Sequence, residues 1–201
     1  MSRVLKKLYS ERQKEIEDHL KKFNKKEEKE RYAEFIFCIL TPQSNGKKCW
    51  EAVEIILKEN PKDEKSISKI LKGRSRFHNT KAKRILLSKS QWNEVKEILN
   101  RNEDALVLRN KIEEKVNGYG LKEASHFIRN IGLSNNKVAI LDRHILRNLK
   151  KFNAIKDIEI KGKKGYLQLE KQAIEFSKKV NIPIDHLDVL FWHLEHGEYF
   201  K

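Results

Sequence analysis

The chain has 201 residues, enough for one substantial core or two small lobes, and its formal net charge is +15 with an isoelectric point near 9.7. That excess of positive charge points to a polyanionic partner, nucleic acid or an anionic membrane surface. No run approaches the roughly 18 apolar residues of a membrane span, and the N-terminus lacks the apolar core of a signal peptide, so a cytosolic protein without a membrane partner is expected.

Helical periodicity dominates along the chain. Tyr32, Phe35, Ile36, Ile39 and Leu40 form one apolar stripe that stops before Pro42. Trp50, Val53, Ile56 and Leu57 repeat it, ended by Asn60-Pro61, and Ser66 to Leu71 forms another short helix with Gly73 as its stop. Two more helices are expected over Lys81 to Leu87 and Trp92 to Leu99. Leu108, Ile112 and Val116 line the next, which breaks at Asn117-Gly118-Tyr119-Gly120; Ala124, Phe127, Ile128 and Ile131 mark its successor, stopped by Gly132. After the apolar run Val138 to Leu141, Asp142 stands as N-cap of a helix over Arg143 to Lys150. The last two helices run from Leu167 to Val180 and from Ile184 or Asp185 to His196, with Gly197 as the stop. Strand signals are few and short, so the fold class is all-α.

The basic residues are unevenly spread. From Lys65 to Asn93 there are nine and no acid; from Arg147 to Lys164 there are seven against Asp157 and Glu159. Two basic regions can flank a groove, although Lys- and Glu-rich surfaces also occur in proteins of hot environments, and the charged run Asn24 to Arg31 reads as solvated helix surface. Cys38 and Cys49 are too few for a four-cysteine zinc or iron–sulfur site, and no metal site is expected. Cys38, inside an apolar run, reads as a buried free thiol.

Glycines flanking one residue between two helices let backbone N–H groups approach a phosphate, and the following helix adds the positive end of its dipole. Gly118, Tyr119 and Gly120 suit that grip, which reads no sequence. On these residues alone an ordinary tight turn is an equal reading. Lys122 lies in the first turn of the following helix, where both the dipole and burial favour a neutral, nucleophilic amine. Asp142, at another helix start, can stay ionised, take the lysine's proton and stabilise positive charge on a deoxyribose. Taken singly, each also fits a plain surface lysine and a plain cap. His126 and His144 read as structural.

The stretch Gly118-Tyr-Gly-Leu-Lys-Glu-Ala-Ser-His-Phe-Ile-Arg-Asn-Ile-Gly132, followed by Val138-Ala-Ile-Leu-Asp-Arg-His-Ile-Leu-Arg147, resembles the helix–hairpin–helix DNA glycosylase superfamily. It is most similar to the archaeal and bacterial second class of 8-oxoguanine DNA glycosylase/lyase. Weaker echoes are Phe37-Cys-Ile-Leu-Thr-Pro-Gln43, Arg76-Phe77 with Lys81-Ala82 and Ile85, and Leu187-Asp-Val-Leu-Phe-Trp192 with a basic C-terminus.

The resemblance implies a two-lobed helical HhH-GPD fold, one glycosylase unit over 1–201. Lobe A would span about 32–134, with the helix–hairpin–helix at 108–131, and lobe B about 1–31 plus 135–201, the active site lying in the cleft between them. It implies Lys122 as Schiff-base nucleophile, Asp142 as catalytic carboxylate, and 8-oxoguanine in duplex DNA as substrate, excised and then followed by β-elimination. No cofactor is implied, and a monomer is expected. A flipped base needs a stacking face and polar groups at its edge. The match places Phe77, Asp188 and Trp192 near the base, with Lys201 helping to close the pocket; a backbone carbonyl near Pro183 to Asp185 is the candidate acceptor for the lesion's N7–H.

Pro42-Gln43-Ser44-Asn45 departs from the nearest pattern and resembles the wider superfamily, where a glutamine wedges into the gap left by the base, making Gln43 a candidate wedge. The hairpin reads Gly-Tyr-Gly in place of Gly-Ile-Gly or Gly-Val-Gly. Two alternatives stay open: another lesion in the same superfamily, such as an oxidised pyrimidine, and a noncatalytic helix–hairpin–helix DNA-binding module.

Overall fold

The structure, a computed structural model, describes residues 2–25 and 27–201; Met1 and Lys26, the latter in the charged run Asn24 to Arg31, lie outside the described residues. Among the described residues there are eleven helices and no strand. They are α1 (Ser2–Ser10), α2 (Gln13–Lys21), α3 (Glu28–Leu40), α4 (Gly46–Glu59), α5 (Glu64–Leu71), α6 (His78–Asn100), α7 (Ala105–Lys115), α8 (Leu121–Asn130), α9 (Arg143–Lys151), α10 (Gly162–Val180) and α11 (Ile184–His196).

The chain divides into two compact units, Lys25–Phe127 and Met1–Asn24 with Ile128–Lys201, so the division falls inside α8 rather than at the loop near residue 134. In the Lys25–Phe127 unit, Phe35 is fully buried and its ring lies 5.3 to 6.2 Å from those of Trp92, Tyr119, Phe127 and Tyr32. Burying such a ring stabilises by roughly 1.5–3 kcal/mol. In the other unit α11 packs against α2, α9 and α10, and Phe152 stacks on Phe191 at 5.7 Å. The apolar run Val138 to Leu141 is buried without helix or strand. Its backbone polar groups are met by α10 side chains, with Tyr166 Oη donating to the Ala139 carbonyl at 2.6 Å and Ala139 N–H donating to Glu170 Oε1 at 3.0 Å.

Several expected boundaries shift. The two helices expected over Lys81 to Leu87 and Trp92 to Leu99 are one, α6. No Gly or Pro interrupts them, and Ser88 and Ser90 hydroxyls satisfy themselves on the Ile85 and Leu87 carbonyls at 2.6 and 2.9 Å. Helix α3 begins at Glu28, four residues before its apolar stripe, with Glu28 and Glu30 complementing the dipole of its first turn. Helix α10 starts at Gly162 rather than Leu167.

Candidate active site

The glycine hairpin joins α7 to the start of α8 in the Lys25–Phe127 unit. Arg109 of α7, 1 % exposed, donates to Ser125 of α8 at 3.4 Å and to Asn110 at 2.8 Å, so a buried guanidinium ties the helices on either side. Gly118 has φ +95°, and a Cβ there would stand 2.5 Å from Arg84 Cδ. Glycine is favoured there by its left-handed conformation, and a side chain would also displace the flexible end of Arg84. Tyr119 turns its ring inward, and its hydroxyl donates to the Phe35 carbonyl at 2.7 Å. Burial raises the Tyr119 pKa well above the usual phenol range, so the hydroxyl stays a donor. Only main chain at position 119 is thus available to a phosphate.

Helix α8 opens with a side-chain cap from its third residue, Gly120 N–H donating to Glu123 Oε2 at 3.0 Å, and the Gly120 carbonyl accepts the first helical N–H, that of Ala124, at 3.0 Å. The other Glu123 oxygen lies 3.2 Å from Lys122 Nζ, with side-chain exposures of 14 % and 22 %. Lys122 therefore sits half-buried in the first turn of α8, its amine held by the residue that caps the helix. Glu123 escaped the sequence reading, although its spacing from Gly120 is that of a capping box.

Gln43 and Phe77 belong to the same unit. Ser44 N–H donates to the Thr41 carbonyl at 3.0 Å, closing a turn whose central residues are Pro42 and Gln43, the latter exposed at φ +54°. That is the φ pattern of a type II turn, which ordinarily puts Gly or Asn at the second place. Phe77, the N-cap of α6, has φ +57° and is 54 % exposed, with the Arg76 guanidinium 5.4 Å from its ring centre.

Asp142, Asp188, Trp192 and Lys201 all fall in the other unit. Asp142 caps α9, accepting from Ile145 N–H at 2.8 Å, as the sequence predicted. Asp188 Oδ2 lies 2.7 Å from Arg129 Nη2, and the Arg129 guanidinium, 5 % exposed, sits 4.6 Å above the Phe23 ring. One Asp188 oxygen is thus engaged in an ion pair that its sequence neighbourhood does not announce. One face of the Trp192 indole is covered by His196, stacked at 4.0 Å, and His144 meets it edge-on at 5.4 Å. Trp192 Nε1 is buried with no hydrogen-bond partner among the described residues.

The C-terminal residues fold back on their own unit. The Phe200 carbonyl accepts from His19 Nε2 at 3.2 Å, and Tyr199 stacks on His193 at 4.5 Å while donating to Glu15 at 2.8 Å. Lys201 follows, half-buried. At the candidate acceptor near Pro183 to Asp185, the Pro183 carbonyl accepts Leu187 N–H at 3.0 Å, and Ile184 and Asp185 open α11.

Both histidines have packing partners. His126 is buried edge-on against Phe37. His144 bonds Glu195, which also takes Arg147 Nη2 at 2.7 Å and Asn148 Nδ2 at 2.9 Å, lacing α9 to α11. Against the penalty of burial, the His144 and Arg147 bonds hold the Glu195 carboxyl below its ordinary value. Cys38 and Cys49 are buried, and neither is in a disulfide. Among the described residues no three His, Cys, Asp or Glu side chains gather as a metal site, and no helix is long and apolar enough to cross a membrane.

A family model described as 8-oxoguanine DNA glycosylase matches residues 12–182. The chain belongs to this helix–hairpin–helix family. It is 34 % identical to an 8-oxoguanine DNA glycosylase/AP lyase of Fusobacterium nucleatum, over 98 % of this chain and 96 % of that protein. It is 31 % identical to that of Methanocaldococcus jannaschii, over 98 % and 99 %. The crystal structure of the M. jannaschii protein superposes with a TM-score of 0.87 at 29 % identity, covering 100 % of this chain and 95 % of that one. Its complex with a 15mer DNA containing 8-oxoguanine gives 0.86 over 98 % and 100 %. The fold is therefore the all-helical HhH-GPD fold of the family.

Proposed function

We propose that this protein removes 8-oxoguanine from duplex DNA and then cuts the strand on the 3′ side of the vacated sugar. The observation that carries the reading is the Lys122 amine, held in the first turn of a helix that opens directly from a glycine hairpin, in a chain aligned over nearly its whole length with glycosylase/lyases. The hairpin main chain and α8 N-terminus hold the phosphate backbone while the basic stretches supply sequence-independent attraction. Asp142 accepts the proton of Lys122, and the free amine attacks C1′. The C1′–N9 bond breaks and the base leaves with the bonding pair, taking up the proton from Asp142, which, ionised again, stabilises the positive charge on the sugar. The sugar ring opens to an imine between Lys122 and C1′. Loss of a C2′ proton then expels the 3′ phosphate and breaks the strand.

Phe77 and Trp192 stack the flipped base, Asp188 accepts from its N1 and N2 donors, Lys201 closes the pocket, and Gln43 fills the gap in the duplex. The protein acts as a monomer on DNA in the cytoplasm, and needs no metal or organic cofactor. Borohydride reduction in the presence of an 8-oxoguanine duplex tests the reading, because it converts the imine to a stable amine link. Wild type forms the covalent complex and Lys122→Gln does not. A panel of oxidised pyrimidines in the same assay separates the lesion classes, and a noncatalytic DNA-binding module would trap with none.

A further inference from the structure

Among the described residues eight non-glycine positions have positive φ, and six are asparagine, the residue that tolerates this region best; the other two are Gln43 and Phe77. Both flank a single buried cation. Lys81 is 2 % exposed, and the three N–H donors of its ammonium are shared among four acceptors, the Leu40 carbonyl at 2.8 Å, the Pro42 carbonyl at 2.7 Å, Ser44 Oγ at 3.0 Å and Ser75 Oγ at 2.9 Å. None of these partners is a carboxylate. Leu40 ends α3, where a carbonyl beyond the reach of the helix's own N–H groups and the negative end of the helix dipole favour a cation.

Pro42 and Ser44 are the two neighbours of Gln43. Ser75 lies two residues before Phe77, and the two loops are stapled directly, with Arg76 N–H donating to Ser44 Oγ at 2.9 Å and Ser75 Oγ donating to the Leu40 carbonyl at 2.9 Å. The main-chain N–H of Lys81 also donates to the Phe77 carbonyl at 2.9 Å. One lysine thus holds both ends of the Gln43 turn and, through its side chain and its amide, both sides of Phe77.

We propose that Lys81 is a positioning residue: its ammonium keeps Gln43 and Phe77 in their strained, protruding conformations, ready to fill the duplex and wall the extruded base. The proposal rests on the roles given above to those two residues. Strained backbone persists only where surrounding structure over-determines it, and a buried ammonium with four acceptors is such a constraint. A neutral amine would keep fewer donors and no attraction for the end of α3.

Burial pulls the Lys81 pKa down to about 8, and the groups around it are Cys49 of α4, Arg84 of its own helix, and Lys122 and Glu123 of α8. Arg84 and Lys122 disfavour its charge, while Glu123 and Cys49 act the other way. The constraint is therefore one that alkaline pH removes.

The test compares single-turnover excision of 8-oxoguanine with nicking at a preformed abasic site, which has no base for Phe77 to wall. The ratio of the two rates cancels changes at the Lys122 amine. Lys81→Met should retain its helical circular dichroism and lower this ratio at least tenfold. The wild-type ratio should fall several-fold between pH 7 and pH 9 while that of the variant stays flat. A folded Lys81→Met protein with a ratio within twofold of wild type overturns the proposal. If that variant does not fold, Ser44→Ala combined with Ser75→Ala removes two of the four acceptors and is read by the same criterion. Hydrogen exchange without DNA distinguishes this claim from the proposed function: the Ser44 and Arg76 amides should exchange at least tenfold faster in the variant even if wild type excises nothing. Unchanged exchange there overturns the positioning role.

Discussion

The hydroxyl of Tyr119, between the two hairpin glycines, donates to the main-chain carbonyl of Phe35 in the middle of α3 at 2.7 Å. The Phe35 carbonyl also accepts the helix bond from Ile39 N–H, so Tyr119→Phe removes one buried hydrogen bond without orphaning the carbonyl and should cost about 0.5–1.5 kcal/mol in urea unfolding. Tyr119→Ala adds a cavity and should cost about 3–5 kcal/mol. Because only main chain at this position can meet DNA, the salt dependence of DNA binding should be the same for Tyr119→Phe and wild type. A shallower slope would show that the phenol itself contributes to the DNA interface.

Gly118→Ala should be more damaging to DNA binding than to folding. The substitution strains a φ of +95° and drives Arg84 from its place against the hairpin. Affinity for undamaged duplex, measured at low salt, is expected to fall about tenfold, in keeping with a lost phosphate contact. Wild-type affinity would remove the hairpin from the DNA contact.

Asp188 and Arg129 form an ion pair in which the arginine is almost wholly buried, and its Nε and Nη1 have no acceptor among the described residues. Removing the carboxylate strands that cation, so Asp188→Asn should destabilise by about 3–5 kcal/mol, more than Arg129→Met does. A double-mutant cycle should recover part of the loss in Arg129→Met/Asp188→Asn. Additive losses would mean the pair does not act as a unit.

The pH dependence of stability follows from His19 and His186, which anchor α2 and α11 to the Phe200 carbonyl and to Tyr9 Oη at 3.2 and 2.8 Å. Burial lowers both pKa values, so the unfolded chain takes up these protons at a higher pH than the fold does. Stability should be full above about pH 6.5 and be lost as pH falls from there towards the lowered folded values. The melting temperature should drop by a few degrees between pH 7.5 and 5.5, and by less in His19→Gln/His186→Gln. Burial raises the Asp185 pKa, which works in the opposite direction as acid is added. Equal drops in the two proteins would exclude the histidines as the cause.

Helix ends were legible in the sequence wherever Pro, Gly or a capping side chain marks them. Asn60-Pro61, Gly132, Asp142 and Gly197 all stand where their chemistry predicts. Helices α1 and α2 were not legible, because their buried anchors, Leu5, Tyr9 and Ile16, are sparse in a charged background. The helix that carries Lys122 in its first turn could be read from local spacing, and Glu123 could have been. Lys81 and Arg129 could not: lysine and arginine are almost never fully buried unless partnered, and their partners here lie as far as 41 and 59 residues away. Residues that position a site through buried charge leave no local pattern.

The most direct test of the account is mass spectrometry of the borohydride-reduced complex with an 8-oxoguanine duplex, followed by peptide mapping. The DNA fragment should be carried on the peptide containing Lys122, and neither Lys122→Gln nor Asp142→Asn should reach the wild-type rate of trapping. A cross-link at another amine, or full trapping by Lys122→Gln, would contradict it.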